Sequence, residues 1–326
     1  MLKVMFLPID YNDFRQDGFA KAFVTLGCHV HYFDYFGYWN QTKRAQSVRA
    51  NLINMALNFK PDVFFIQTHH LPMIDADSVQ KIKNVFPKCK FCNWTQDIKN
   101  HMMPNFLELS KVCEFNFGCS TGQLKFLSEG IGKPVYYLNT GYDQALYFPS
   151  KEKKSSFDND IVFTGNCDAT ANFPGTKERV LAAVLLRKTF GDRFKLYGSN
   201  WPTEVKTEGH HDQRSLNNLY HNSVCSLSIS HYNDVADYFS DRLLRCMASG
   251  RPTICYRFPN WQNYFTDMSD IVIVNSVEEI PEKVNMLKNN PELAEFIGRN
   301  GAAKVLAEHT YITRVKQLFD VIGIKS

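Results

Sequence analysis

Short, continuously apolar runs such as VMFL, VFFI and IVF alternate with amphipathic stretches through almost the whole chain. Runs of this kind do not show the in–out alternation of a half-solvated sheet. They mark parallel strands that helices cover on both faces, so the chain is constrained to βαβ units and an α/β fold. One break interrupts the rhythm, the charged segment SKEKKSSFDND at residues 150–160, which lacks apolar periodicity and reads as a linker. The chain has 326 residues, too many for one ordinary α/β domain and suited to two of about 150 each. The expectation is therefore two doubly wound domains, residues 1–150 and 151–326, with the last helix packing back on the first.

In the first half the pattern predicts strands at 2–8, 29–36, 63–67, 90–95, 114–118 and 135–138. Helices are expected at 18–26, 48–59, 77–85, 105–111 and 123–129. In the second half strands fall at 161–164, 194–197, 224–228, 253–256 and 271–274. The helical stretches there are 176–190, 215–221, 241–249, 277–287, 291–305 and 310–321. In helix 176–190 the apolar stripe is read as Val180, Leu181, Val184 and Leu185. Open parallel sheets bind ligands outside the carboxyl ends of their strands, so chemistry is expected there, across a cleft between the two halves.

Composition excludes several classes. Apolar residues make up 44% and charged residues 21%, which supports packed cores and argues against disorder. Nine scattered cysteines suggest free thiols, and no run approaches eighteen apolar residues, so a cytoplasmic protein is expected. The opening MLKVMFLPID reads as a strand and not as a signal peptide. A net charge of +4 is too mild to name a polyanionic partner.

The segment YFSDRLLRCMASGRP, residues 238–252, carries the most information. Ser240 stands as an N-cap, Gly250 as a stop, and Arg242 and Arg245 lie three apart on one face. Beside a helix N-terminus two arginines suit a diphosphate; the alternative is an amphipathic helix with two solvated arginines.

Cys246-Met247-Ala248-Ser249-Gly250-Arg251-Pro252 before a strand resembles the donor-site helix of GT-B glycosyltransferases. The tail resembles the CgeB-like branch, with its family 1-like C-terminal domain. That similarity runs through residues 259–265, Ser276 to Ile280, Asn290-Pro291-Glu292, Gly298 to Gly301, His309-Thr310-Tyr311 and Arg314. Phe163-Thr164-Gly165, Arg179 and Tyr197-Gly198-Ser199-Asn200-Trp201 fit it as well. The resemblance implies two Rossmann-like domains and a nucleoside diphosphate sugar, foremost a UDP-sugar, bound in the second half without metal or other cofactor. Gly165, Arg179, Tyr197, Gly198, His211, Tyr232, Ser240, Asp241, Arg242 and Arg245 are then donor-site candidates. One departure stands out: the family's ribose-binding glutamate falls on Arg245, and a guanidinium only donates hydrogen bonds. Arg245 is left to meet phosphate or the carboxylate of an unusual sugar, and Arg242 and Arg179 remain the better phosphate candidates. His210-His211-Asp212 falls on a base-binding loop, where a solvated loop fits equally, and Tyr232 and Asn233 fall near the sugar.

In the first half, Asp97 follows strand 90–95 and is placed to take the proton of an acceptor hydroxyl. CgeB-like proteins carry an aspartate at a similar place, and Thr95 to Lys99 resembles a segment of phage DNA β-glucosyltransferases. The other reading of Asp97 is a helix cap. His69, His70 and Asp10 also follow strands and are candidate bases or acceptor contacts, with structural roles as the alternative. Acceptors consistent with this are a saccharide, lipid or protein hydroxyl, or a hydroxymethylated base in phage DNA. A non-catalytic nucleotide binder and a nucleotide-sugar epimerase of GT-B form are the rivals. Cys89-Lys90-Phe91-Cys92 has CxxC spacing, but strand positions three apart face opposite ways. Asp75-Ala76-Asp77 opens a helix, and Asp158-Asn159-Asp160 lies in the linker, so neither serves as a metal-binding DxD.

Overall fold

A computed structural model describes residues 1–9, 17–67, 73–150, 156–168 and 173–325. The chain forms two compact units, Met1–Thr140 with Tyr311–Ser326, and Gly141–Thr310. The division thus falls before residue 150, and the last helix belongs to the first unit.

The first unit holds β1 (Lys3–Leu7), β2 (His29–Tyr32), β3 (Val63–Gln67), β4 (Lys90–Thr95), β5 (Phe115–Gly118) and β6 (Val135–Tyr137) in the order β2-β1-β3-β4-β5-β6. Every pairing is parallel. Central β3 is buried throughout, which is why it reads as an uninterrupted apolar run, whereas edge strand β2 is not. Along β1, Val4 and Phe6 enter one core and Met5 and Leu7 the other, so helices cover both faces of the sheet. The final helix, here α12 (Tyr311–Ile322), closes the first of these cores: Tyr311 meets Phe19 at 4.4 Å and Phe319 meets Phe23 at 5.8 Å.

The second unit holds β7 (Asn159–Thr164), β8 (Phe194–Tyr197), β9 (Ser223–Ser228), β10 (Thr253–Tyr256) and β11 (Val272–Val274) in the order β11-β10-β9-β7-β8, again all parallel. Both sheets therefore wind alike. The first strand of each sits between its second and third, and the winding reverses at β1/β3 and at β7/β9. Such switch points are where ligands bind in open α/β sheets.

Three expectations need correction. The second strand stops at Tyr32, because Asp34 accepts a hydrogen bond from the Gly37 amide (2.7 Å) and starts a helix at Tyr35–Thr42. Residues 158–160 do not all belong to a linker. β7 begins at Asn159, and Asp160 is buried where Arg193 and Lys288 neutralise it at 2.7 and 2.9 Å. Helix α7 (Thr176–Phe190) turns two members of its expected stripe outward, Leu181 45% and Val184 49% exposed, while Leu185 packs partly buried on the core; the residues it buries fully are Arg179, Ala182, Ala183 and Leu186. Two alanines let α7 approach the sheet closely, and an arginine was not read as a core residue.

Candidate active site

The carboxyl ends of β7 and β9 meet at the second unit's switch point, and two arginines converge there. Arg179 comes from α7 and Arg242 from α9 (Asp241–Ala248). Both donate to the carbonyl of Ile229, just past β9, Arg242 at 2.7 Å. Arg179 also donates to the Asn166 carbonyl at 2.5 Å. Their guanidinium carbons lie 4.9 and 5.3 Å from the Phe163 ring, whose electron-rich face favours cations. Both guanidiniums crowd the backbone at Gly165: a Cβ there would stand 2.5 Å from Nη1 of Arg242 and 3.0 Å from Nη2 of Arg179. With φ at +146°, Gly165 occupies backbone space that side chains rarely enter.

This notch carries uncompensated charge. Among the described residues neither arginine forms a salt bridge, and the Nε atoms of both are buried without a hydrogen-bond partner. Burial, and after it the adjacent Arg242 cation, pushes the Arg179 pKa down, while burial lowers that of Arg242. Arginine keeps its proton under such pressure, so the folded state carries the cost and a bound anion relieves it. The two residues differ in access. Arg179 is wholly buried and holds backbone from beneath, whereas Arg242 retains exposed surface.

Neighbouring elements complete the setting. Gly165 N–H donates to the Tyr197 carbonyl at 2.8 Å and Trp201 Nε1 donates to the Gly165 carbonyl at 2.9 Å, tying the β7 and β8 loops together. Gly198 cannot carry a side chain, since its Cβ would lie 2.3 Å from the Gly165 oxygen. Tyr197 meets His211 edge-on at 4.8 Å, and Ser215 Oγ lies 3.2 Å from His211 Nδ1. Ser240 occupies the N-cap position of α9 with extended backbone, but its hydroxyl makes no cap bond and is buried without a partner. Ser240 thus stands at the expected N-cap position without the side-chain bond that usually accompanies it.

Arg245 does not join the notch. It pairs with Asp241 one turn earlier and lies 5.7 Å from the Tyr147 ring. Tyr232 is buried against Phe173 (5.7 Å) and Tyr238 (6.4 Å). Asn166 was not singled out in the sequence, though its Oδ1 accepts from both the amide and hydroxyl of Ser199 at 2.9 Å. A lone asparagine after a strand gives no periodic or spacing signal that would have revealed it.

In the first unit, Asp97 lies two residues beyond β4 and its side chain is 40% exposed, with Lys99 Nζ 3.9 Å away. The next helix begins only at Pro104, with Met103 in the cap position, so capping that helix is not what Asp97 does. Thr95 Oγ1 receives a hydrogen bond from the Asp97 amide at 3.3 Å, which fixes the turn. Asp10, His69 and His70 lie outside the described residues. Cys89 and Cys92 enter different cores, and all nine cysteines are buried and unpaired. Asp75 caps α4 (Ala76–Val85) and pairs with Arg49 at 2.8 Å. Among the described residues no group of three or more His, Cys, Asp or Glu is arranged to hold a metal ion, and no helix is long and apolar enough to cross a membrane.

Comparison with known proteins agrees with this arrangement. Residues 177–320 match the family model described as Glycosyl transferase-like. Sucrose-phosphate synthase from Thermosynechococcus elongatus superimposes with a TM-score of 0.65 at 12% identity, covering 99% of each chain. HepE from Anabaena, solved with UDP and glucose, gives a TM-score of 0.65 at 11% identity over 99% of this chain and 100% of its own. The β-glucosyltransferase of phage T4 gives 0.63 at 13% identity over 98% and 99%. No curated protein matches by sequence. The fold is that of the GT-B glycosyltransferases. Residues 177–320 thus carry a glycosyl transferase-like domain, set in a chain of that fold.

Proposed function

We propose that the protein transfers a sugar from a UDP-sugar to an acceptor hydroxyl, and that the notch at Gly165 receives the donor diphosphate. The observation that carries this reading is the pair of guanidiniums at the β7/β9 switch point that form no salt bridge among the described residues. Arg242 contacts the diphosphate, with the N–H groups that open α9 beside it. Arg179 supports the loop from below and adds its charge. Tyr197 and His211 flank the base. Asp241, which Arg245 holds, takes the hydroxyl-accepting role that a guanidinium cannot fill.

In the transfer, the acceptor oxygen attacks the anomeric carbon as its proton passes to the Asp97 carboxylate. The bond from that carbon to the diphosphate oxygen breaks, and the charge left on UDP is met by fixed cations that need no reorganisation and no metal. HepE is described in complex with UDP-glucose, which makes that sugar nucleotide the first donor to test. The test is turnover of UDP-glucose, with and without acceptor, by wild type and Asp97→Asn. The variant is expected to lose about a hundredfold or more in kcat while binding UDP normally; unaltered kcat would remove Asp97 as the base. A hydroxymethylated base in DNA is a second acceptor reading, favoured by the segment Thr95 to Lys99. It requires DNA binding that weakens steeply with salt.

A further inference from the structure

Glu178 and Arg179 are consecutive on α7 but serve different surroundings. Arg179 enters the notch, while Glu178 lines a cavity of about 760 Å³ bounded by the start of α7 and by the segments that follow β9 and β10. Asn233, Tyr256, Arg257, Trp261 and Gln262 share its wall. Its charged residues are Glu178 and Asp234 against Arg257, so its formal balance is negative, the reverse of the notch. A phosphate is disfavoured there.

The wall is well fixed. Asn233 Nδ2 donates to the Ser230 carbonyl and Asn233 Oδ1 accepts from the Ser230 amide, both at 2.9 Å. Gly175 packs so closely that a Cβ would lie 2.4 Å from the Ser230 oxygen. Against this frame Oε2 of Glu178 is buried with no hydrogen-bond partner. A carboxylate oxygen with unfilled acceptor capacity is satisfied when a donor arrives, and an alcohol supplies one without adding charge. Tyr256 and Trp261 are half-buried and offer rings to the C–H face of a pyranose.

We propose that this cavity is a saccharide subsite, distinct from the diphosphate notch, which takes a neutral pyranose unit of the acceptor. The proposal rests on reading the second unit as the sugar-handling one. The Glu178 carboxylate accepts from sugar hydroxyls, the aromatic rings hold the apolar face of the ring, and the local negative charge turns phosphorylated sugars away.

The test is saturation-transfer NMR on the full chain with glucose, galactose, maltose and lactose, each tried singly, with and without saturating UDP. At least one should bind, and Glu178→Gln should weaken it about fivefold or more, with UDP affinity within about twofold of wild type. If a thermal melt shows that Glu178→Gln has lost its fold, the same loss read in Trp261→Leu decides. The proposal is overturned if none of the four sugars binds, or if the folded variant binds as tightly as wild type. Failure of UDP itself to bind counts against the donor assignment and not against this one, because the sugars are also titrated alone.

Discussion

At the amino ends of the second unit's strands, Arg193 and Lys288 close on the buried carboxylate of Asp160. At the carboxyl ends of the same sheet, Arg179 and Arg242 close on backbone carbonyls and on Gly165, and among the described residues no carboxylate pairs with them. The first cluster is complete in itself. Burial alone would raise the Asp160 pKa, but Arg193 and Lys288 outweigh it and hold the carboxyl below its ordinary value. In the second cluster burial presses on both cations, and Arg242 also presses on Arg179; the weaker opposing influences around them leave both pKa values lowered. A cationic cluster with its own counter-ion stabilises the fold, whereas one without is poised for an anion from outside.

That contrast can be broken from either end. Arg242→Ala should cost about 1.5–3 kcal/mol of UDP binding, tenfold or more, because charge-assisted hydrogen bonds to phosphate are lost. Calorimetry reads this directly, and the melting temperature should change little. Asp160→Asn should do the opposite, lowering stability by about 2 kcal/mol in denaturant titration with UDP affinity intact. This is below the usual range for a broken buried pair, since Arg193 and Lys288 are each nearly half exposed and rehydrate. The sign with pH follows. A depressed carboxylate pKa stabilises the fold above its unfolded value near 3.8, and the gain is lost as pH falls through the lower folded value. The variant should lack that acid-sensitive part.

Ser240→Asp supplies a carboxylate at the N-cap of the helix that carries Arg242. It should raise stability by about 1 kcal/mol while weakening UDP, as thermal melts with and without nucleotide would show. Least of all, Leu181→Lys and Val184→Lys on the exposed face of α7 should each shift stability by no more than about 0.5 kcal/mol. A larger loss would mean that the original stripe is covered.

Much of this fold was legible because parallel strands buried on both faces leave continuous apolar runs; β3 begins and ends where its sequence says. Two of the misreadings share a cause, which is that charge inside a fold looks like charge on a surface. Asp160 read as linker and Arg179 did not read as core, since in each case the compensating partner is distant in sequence. The donor end was visible through the segment from Ser240 to Pro252. Arg242 and Arg245 are equivalent by spacing, and the resemblance alone favours Arg242 for phosphate; the packing of Arg242 on Phe163 and the pairing of Arg245 with Asp241 give the physical separation that spacing lacks. Glu178 carries no motif, and Trp261 lies in a stretch of family resemblance that gives it no role; their association depends on tertiary packing at one cavity.

The most direct test of the diphosphate assignment compares UDP with uridine by calorimetry, on wild type and on Arg242→Ala. The account predicts that UDP binds wild type at least about tenfold tighter than uridine and that this gap largely closes in the variant. Equal affinities for UDP and uridine in wild type would contradict it.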